Sequence, residues 1–480
     1  MDNLESKGGN NSSSSELKDF THSQDGLQRK CDNDDLECTM YHANSDDGRK
    51  ENKENHAGST SMYMSAFNLS NAIIGTGLLG LSYAMANTGI IPFVFLLIVI
   101  ALLSLYSIHL LLQISVLTGS MVYETLGQHA FGRPGKLAVF GSTSLQNIGA
   151  ILSYLFVVKK ELPEVIQSFT GQDSSEAWYL IDRNLVILVT LIIILPLCLF
   201  RNIGYLGYTS GFSLACMIFF LIVVIYKQTQ FSCDTSLSVN ITDLVCTITC
   251  TPEYFVWNDK TVYALPTMAF AFVCHPSVLP IYRELKDHTC KKMQVVSTIS
   301  FFSMFAIYLL TAVFGYLTFY NTVNEELLLS YHDHRDKLIL ILRLAVITAV
   351  VLTVPVLLFT VRSSIVLLVL KGKFTWLHHF IITFFLLTGS NLLVIYIPSI
   401  MDVFAVIGST SANMLIFILP ASLYLKLVKN EPQNSWQRKG AMAFLAVGII
   451  FMFVTVPLIF VEWNKRSSNN TSTGSCSGQH

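Results

Sequence analysis

The sequence predicts an all-α integral membrane protein of about eleven transmembrane helices. Three observations predict it. Of 480 residues, 52% are hydrophobic and only 13% charged, too apolar for a soluble chain of this size. The apolar residues fall into blocks: runs of roughly 20, each able to cross a hydrocarbon core of about 30 Å as a helix, recur from Met64 to Val461 between short polar loops. The alternating segments of about ten residues that mark a membrane β-barrel are missing from the pattern, so backbone groups in lipid are satisfied within helices.

Residues 1–60 are rich in Ser, Asn, Asp, Glu and Lys and are expected to form a disordered cytoplasmic tail. They hold no apolar signal-peptide core, so the first span is expected to serve as its own membrane signal. A membrane domain is expected over 61–465. Spans 1 to 4 are placed at 64–88, 90–114, 137–158 and 184–200. Spans 5 to 8 follow at 206–226, 262–282, 295–320 and 338–361. Spans 9 to 11 lie at 379–397, 401–425 and 441–461, leaving a tail of 466–480.

Basic residues in short loops set the orientation. With the N-terminus inside, the cytoplasmic loops carry Arg133 and Lys136, Arg201, Arg283 to Lys292, Arg362 to Lys373, and Lys426 to Lys439. The opposite loops hold fewer bases and most of the loop acids, among them Glu325, Glu326, Asp333 and Asp336. The odd number of spans then puts the C-terminus outside. The sequon Asn240-Ile-Thr and Cys233, Cys246 and Cys250 all fall in the loop 227–261, which this orientation places on the side where glycans are added and disulfides persist. Asn470-Thr-Ser is also outside, whereas the sequon at Asn68 lies within a span and is expected to be unused. A net charge of −1 gives no reason to expect nucleic acid. Cys198, Cys216 and Cys274 sit in apolar runs and read as small packing residues.

Two spans carry breakers. Span 1 holds Asn68, Ser70 and Asn71 and then Gly75, Thr76 and Gly77 in its middle. Two glycines flanking Thr76 allow the helix to unwind, which would offer amides to a carboxylate and carbonyls to a small cation. Small residues also serve close helix packing, and this segment alone leaves both readings open. Span 6 contains Pro276 and Pro280, both of which disrupt helical bonding, with His275 beside them. Interrupted helices at matching positions of two halves point to an inverted-repeat transporter with its site at the bilayer midplane. His275 by itself reads as well as a satisfied packing residue. In span 8, Thr348 and Thr353 supply neutral oxygens suited to Na⁺, or bond their own helix backbone. Arg343 either snorkels or pairs with an acid. Gln146, Asn147, Ser153 and Tyr154 are further polar candidates in span 3.

Several stretches in these spans resemble one family. They are Phe67-Asn-Leu-Ser-Asn-Ala-Ile, Tyr83-Ala-Met-Ala-Asn-Thr-Gly, Asn202-Ile-Gly-Tyr-Leu-Gly-Tyr-Thr-Ser-Gly, Phe272-Val-Cys-His-Pro-Ser-Val-Leu-Pro-Ile-Tyr, Phe314-Gly-Tyr-Leu-Thr-Phe-Tyr and Met414-Leu-Ile-Phe-Ile-Leu-Pro. Over about 60–465 the chain resembles the sodium-coupled neutral amino acid transporters of systems A and N, in the amino acid/auxin permease superfamily. Phe359-Thr-Val-Arg-Ser-Ser and Thr410-Ser-Ala-Asn-Met are most similar to system A.

The resemblance implies a leucine-transporter-like fold of five plus five inverted spans, broken in spans 1 and 6, with one span added. It implies a symporter that imports Na⁺ with alanine, serine or glutamine across the plasma membrane. By resemblance Asn71 and Thr353 bind sodium, and Cys233 pairs with Cys250, with Cys246 as an extra thiol beside it. External acid inhibits the family, and His480 is the implied modulating group. On the combined reading, amides at Gly75, Thr76 and Gly77 meet the substrate carboxylate, and carbonyls from Phe272 to Cys274 meet its ammonium. An exchanger or sensor binding the same ligand is the alternative. An enzyme would want clustered acids or histidines in the spans, which are almost free of acids.

Overall fold

The computed structural model describes residues 58, 60–170, 181–199, 206–230, 240–241, 244–245, 250–331, 336–369, 375–428 and 436–469. His480 and Cys233 lie outside them, as does nearly all of the expected N-terminal tail. Among the described residues the fold is helical throughout, save a two-residue antiparallel ribbon joining Asn240–Ile241 to Leu244–Val245.

Nine helices among the described residues are long and apolar enough to cross a membrane, and a pair bent by 58° makes ten. The bent pair is span 1, Met62–Ile73 followed by Gly77–Ala86. The remaining expected span lies in the 48-residue helix Tyr123–Thr170, whose polar residues keep it out of that apolar set. That helix is kinked at Gly132, where φ is 67° and ψ is −145°, a backbone only glycine adopts readily. It therefore reaches well past 137–158 at both ends.

Span 4 is Asp182–Leu199, with a π-helical turn at Thr190–Ile194, and span 5 is Leu206–Gln230. Span 6 runs over Asp259–Glu284 in two halves, Ala264–Phe272 and His275–Glu284, entered by a 3₁₀ turn capped by Asn258. Spans 7 to 9 are Cys290–Phe319, Lys337–Val369 and Trp376–Tyr396. Span 10, Ile400–Leu427, contains two π-helical stretches, Gly408–Ala412 and Met414–Ile418. Span 11 continues to Asn469, past the expected boundary at 465.

Exposure separates the inside of the bundle from its lipid-facing wall. Spans 6 and 10 are 78% buried over their most apolar windows, whereas spans 2 and 11 are 28% buried. The broken span 6 is thus at the centre, next to the π-helical part of span 10 and to span 1. Four N-caps begin spans by accepting a backbone amide on a hydroxyl: Ser61, Thr289, Thr375 and Ser399.

Contacts between loop ends group the span termini. Amides of Ile90 and Ile91 donate to the carbonyls of Glu253 and Tyr254, so the turn after span 1 meets the irregular segment leading to span 6. At the opposite end the Thr60 amide donates to the Glu284 carbonyl, and the Thr60 carbonyl accepts from the Lys286 amide. These pairings match the alternating up-and-down order expected of the spans.

Candidate functional site

The break in span 1 begins at Ile74. Its amide still donates to Ser70 at 2.9 Å, but its backbone is extended (φ −71°, ψ 119°). Helix resumes at Gly77. In span 6 the extended residue is Val273 (φ −75°, ψ 114°), and helix resumes at His275. Pro276 explains the position. A continuous helix would drive its ring into the carbonyl of Phe272, four residues earlier, and would leave that carbonyl without a donor. In the first turn of a new helix the missing N–H costs nothing. Pro280, expected to disrupt as well, lies inside the second half without breaking it.

The two breaks meet through small residues. A Cβ placed on Gly77 would stand 2.9 Å from that of Ala271, so only glycine admits this approach. The Tyr308 hydroxyl of span 7 lies 2.9 Å from the Ile73 carbonyl and 2.9 Å from the Ala271 carbonyl, bridging the end of both first halves. The Phe272 ring stacks on Phe301 and sets its edge against Tyr308, with centroids 5.9 and 5.2 Å apart. Thr76 donates to Ser153 of the span 3 helix at 2.6 Å, because the hydrogen of Ser153 goes to Ala150. The Tyr154 hydroxyl would lie 3.5 Å from a Cβ on Gly75.

No Asp, Glu, Lys or Arg occurs in residues 62–86 or 262–282. The electrostatics there come from backbone dipoles: helix starts at Gly77 and His275, helix ends at Ile73 and Phe272. Among the described residues no protein acceptor meets the amides of Thr76 and Gly77, while that of Gly75 faces the Tyr308 oxygen. The Cys274 carbonyl accepts from Ser277 at 2.9 Å, which leaves the carbonyls of Phe272 and Val273 open. The Cys274 thiol itself is buried.

Asn71 sits one turn before the first break, and its Oδ1 is buried without a partner. The Asn71 and Ala72 carbonyls belong to a last helical turn, where no later amide reaches them. On span 8, Thr353 donates to its own helix at Ala349, 2.7 Å away, and keeps its lone pairs. Pro355 has no N–H for the Val351 carbonyl, so a second neutral oxygen is free one turn below it. These are hard oxygen donors of the kind a small cation takes. Asn71 and Thr353 themselves share no bond. Span 8 packs chiefly on the span 3 helix and span 5, and the first half of span 1 on spans 5, 6 and 7. Thr348 is exposed and bonded to Leu344, so it is a wall residue. His275 is fully buried with Nε2 2.9 Å from Ser107 Oγ, but its buried Nδ1 has no partner among the described residues, so a satisfied packing residue describes only half of the ring.

Charges stand at the ends of the spans instead. Arg343 pairs with Glu161 at 3.3 Å and Glu164 at 2.9 Å. Asp402 receives Trp463 Nε1 at 2.7 Å and Arg466 at 3.2 Å, and Arg466 also bonds Tyr263 at the head of span 6. In the loop after span 7, burial pushes the Glu325 carboxyl up against the lowering effect of its hydrogen bond from Ser399. Burial also pushes Asp336 up, but the paired Lys227 ammonium and backbone amides outweigh it and hold that carboxyl below its usual range. Cys250 is disulfide-bonded to a residue outside the described ones. Asn240 opens the short ribbon in the same loop.

Sequence reasoning missed Tyr308, one of several hydroxyls in span 7 with no local pattern to single it out. It also missed the partners of Arg343, which lie 179 or more residues away in sequence.

Residues 58–461 match the model of a family described as transmembrane amino acid transporter protein. The chain is 47% identical to a protein named sodium-coupled neutral amino acid transporter 4 of Pongo abelii, over 90% of each chain. A solved structure of MHP1, a nucleobase-cation-symport-1 family transporter in a closed conformation with bromovinylhydantoin bound, matches with a TM-score of 0.51. At 12% identity over 85% of this chain and 94% of that one, the likeness is one of fold.

Proposed function

Because the chain belongs to the transmembrane amino acid transporter protein family, we propose that it imports small neutral L-amino acids with Na⁺ by alternating access. It is a multi-pass membrane transporter and not an enzyme. Alanine, serine and glutamine are the substrates of this reading. It works at the plasma membrane with the N-terminus inside, the C-terminus outside, a glycan on Asn240 and a Cys233–Cys250 bridge in the outer loop.

One observation carries it: two helices broken side by side, with no charged residue in 62–86 or 262–282, that present open amides and open carbonyls to one place. That arrangement suits a zwitterion. The substrate carboxylate takes the amides at Thr76 and Gly77, and Gly75 frees them by ending the helix. The ammonium takes the carbonyls of Phe272 and Val273 beside Cys274. Sodium takes Asn71 Oδ1, the span 1 carbonyls, Thr353 and the Val351 carbonyl. The orphaned Asn71 oxygen supports this, since a buried amide oxygen left bare costs about 1–3 kcal/mol without a partner. In this cycle spans 1 and 6 rock against the rest, and Na⁺ moving inward gains about 2.3 kcal/mol per 100 mV of potential.

Uptake of labelled alanine in Na⁺ and in choline tests the reading. Wild type takes up alanine only in Na⁺. Asn71→Ala and Thr353→Ala weaken the apparent Na⁺ affinity by roughly tenfold, about 1.4 kcal/mol for one lost ligand, and Thr348→Ala leaves it unchanged. Full-rate uptake in choline sinks the coupling. Binding without net uptake would make the chain an exchanger or a sensor.

A further inference from the structure

We infer that Glu326 is a proton-binding site on the outer face, and that losing this proton unseats the loop 325–331 from the outer half of span 1. The inference rests on the transport reading for its consequence, but the site itself rests on geometry.

Glu326 is fully buried, and neither of its carboxylate oxygens has a partner. Its surroundings are already committed. Arg343 stands with Nε 3.3 Å from Glu161 as an ion pair without a hydrogen bond, and gives Nη1 to Glu164 at 2.9 Å. Its Nη2 goes to the loop carbonyls of Tyr331 at 2.9 Å and Leu328 at 3.4 Å. Lys160, on the same helix as Glu161, pairs with Asp182 at 3.0 Å. Glu161 is fully buried too. The Tyr331 hydroxyl is buried and unpartnered, and Glu325 turns to Ser399. One guanidinium thus serves two carboxylates and two carbonyls, and a third buried carboxylate has no cation left to it. A proton is the ligand that neutralises it without a further partner.

The loop that carries Glu326 is placed to matter. Leu327 and Ser82 both fill the space at Gly315 of span 7, where an added Cβ would stand 2.8 Å from Leu327 and 2.3 Å from Ser82. Ser82 lies on the outer half of span 1, against which the turn Leu327–Ser330 packs. The same turn touches the span 3 helix. Seating this loop therefore ties the half-helix that must move to a helix that the rocking cycle leaves in place.

The sign follows from linkage. Burial first, and then the Glu161 charge, hold the Glu326 carboxyl well above its ordinary value, with Arg343 and Lys160 opposing. A group raised in the seated state stabilises that state fully below its ordinary value, and the stabilisation fades as pH rises through the raised value. Acid conditions outside then hold the loop seated, which gives the external-acid inhibition already expected from the family resemblance a site in this chain.

The test reads Na⁺-dependent alanine uptake against external pH in the full-length protein. Glu326→Gln, a permanent stand-in for the protonated acid, loses the pH-dependent rise and stays at the slow acid-side rate. Glu161→Gln removes the like charge and moves the midpoint of the rise to lower pH by about one unit. Infrared difference spectra of purified protein between acid and alkaline buffer show a protonated-carboxyl band that Glu326→Gln lacks. The assignment is overturned by an unshifted midpoint in Glu161→Gln, by an unchanged carboxyl band in Glu326→Gln, or by a profile that responds only to removal of His480. Absence of Na⁺-dependent uptake at every pH would instead overturn the transport reading, and the infrared band decides Glu326 by itself.

Discussion

The middle of the bundle and its outer rim solve the same problem in opposite ways. Both hold polar groups away from water. At the meeting of spans 1 and 6 the polar groups are amides, carbonyls and hydroxyls, with no formal charge in residues 62–86 or 262–282. At the rim they are charges fixed in pairs, Arg343 with Glu161 and Glu164, and Arg466 with Asp402. The difference follows from what each region must do. A buried ion pair is costly to open, because separation leaves a charge bare. A carbonyl that exchanges a tyrosine for a ligand loses about one ordinary hydrogen bond and gains another. Groups that change partners each cycle are better neutral, and groups that hold elements together are better charged.

Three substitutions sharpen that contrast. The largest effect is expected at the rim. Arg343→Gln strands two glutamates, one of them fully buried, and should cost about 3–5 kcal/mol of stability. Surface abundance and thermal aggregation of the purified protein report it, and Arg343→Gln combined with Glu161→Gln should recover part of the loss. Equal damage in the single and double variants would mean that the charges are not paired energetically. Next comes Gly77→Val, whose side chain meets Ala271 at under 3 Å. Overpacking of about 1–3 kcal/mol falls on the gap between the two breaks. Transport should therefore fall much further than surface abundance. The smallest effect is expected for Tyr308→Phe. It removes one hydroxyl shared by two carbonyls, about 1 kcal/mol, and should lower uptake severalfold with normal abundance. A collapse as deep as that of Arg343→Gln would erase the distinction between middle and rim.

Legibility in the sequence divides along the same line. The breaks were readable because their causes are local: Gly75 and Gly77 weaken one helix, and Pro276 forbids the other from passing Phe272. Pro280 showed the limit of that rule. Pro280 lies within the resumed half without interrupting it, so two prolines gave one interruption. The span boundaries followed hydropathy except where helix ran on beyond the apolar block, as in Tyr123–Thr170 and at the end of span 11. The rim was not readable. Which acid meets Arg343 depends on how the span 3 helix and span 8 lie against each other, and no local pattern encodes that. Thr348 and Thr353 looked alike in sequence. Only their facing separates them, one on the exposed wall and one partly covered.

Tyr308 owns a single hydroxyl hydrogen, yet two chain ends stand at equal distance from it. A three-centre bond lets both share it. Ile73 and Ala271 therefore hold one proton between them, and either carbonyl can keep the bond if the other turns away. In the proposed cycle spans 1 and 6 turn together past span 7, and the shared hydroxyl is a hinge pin that keeps one grip while it gives up the other.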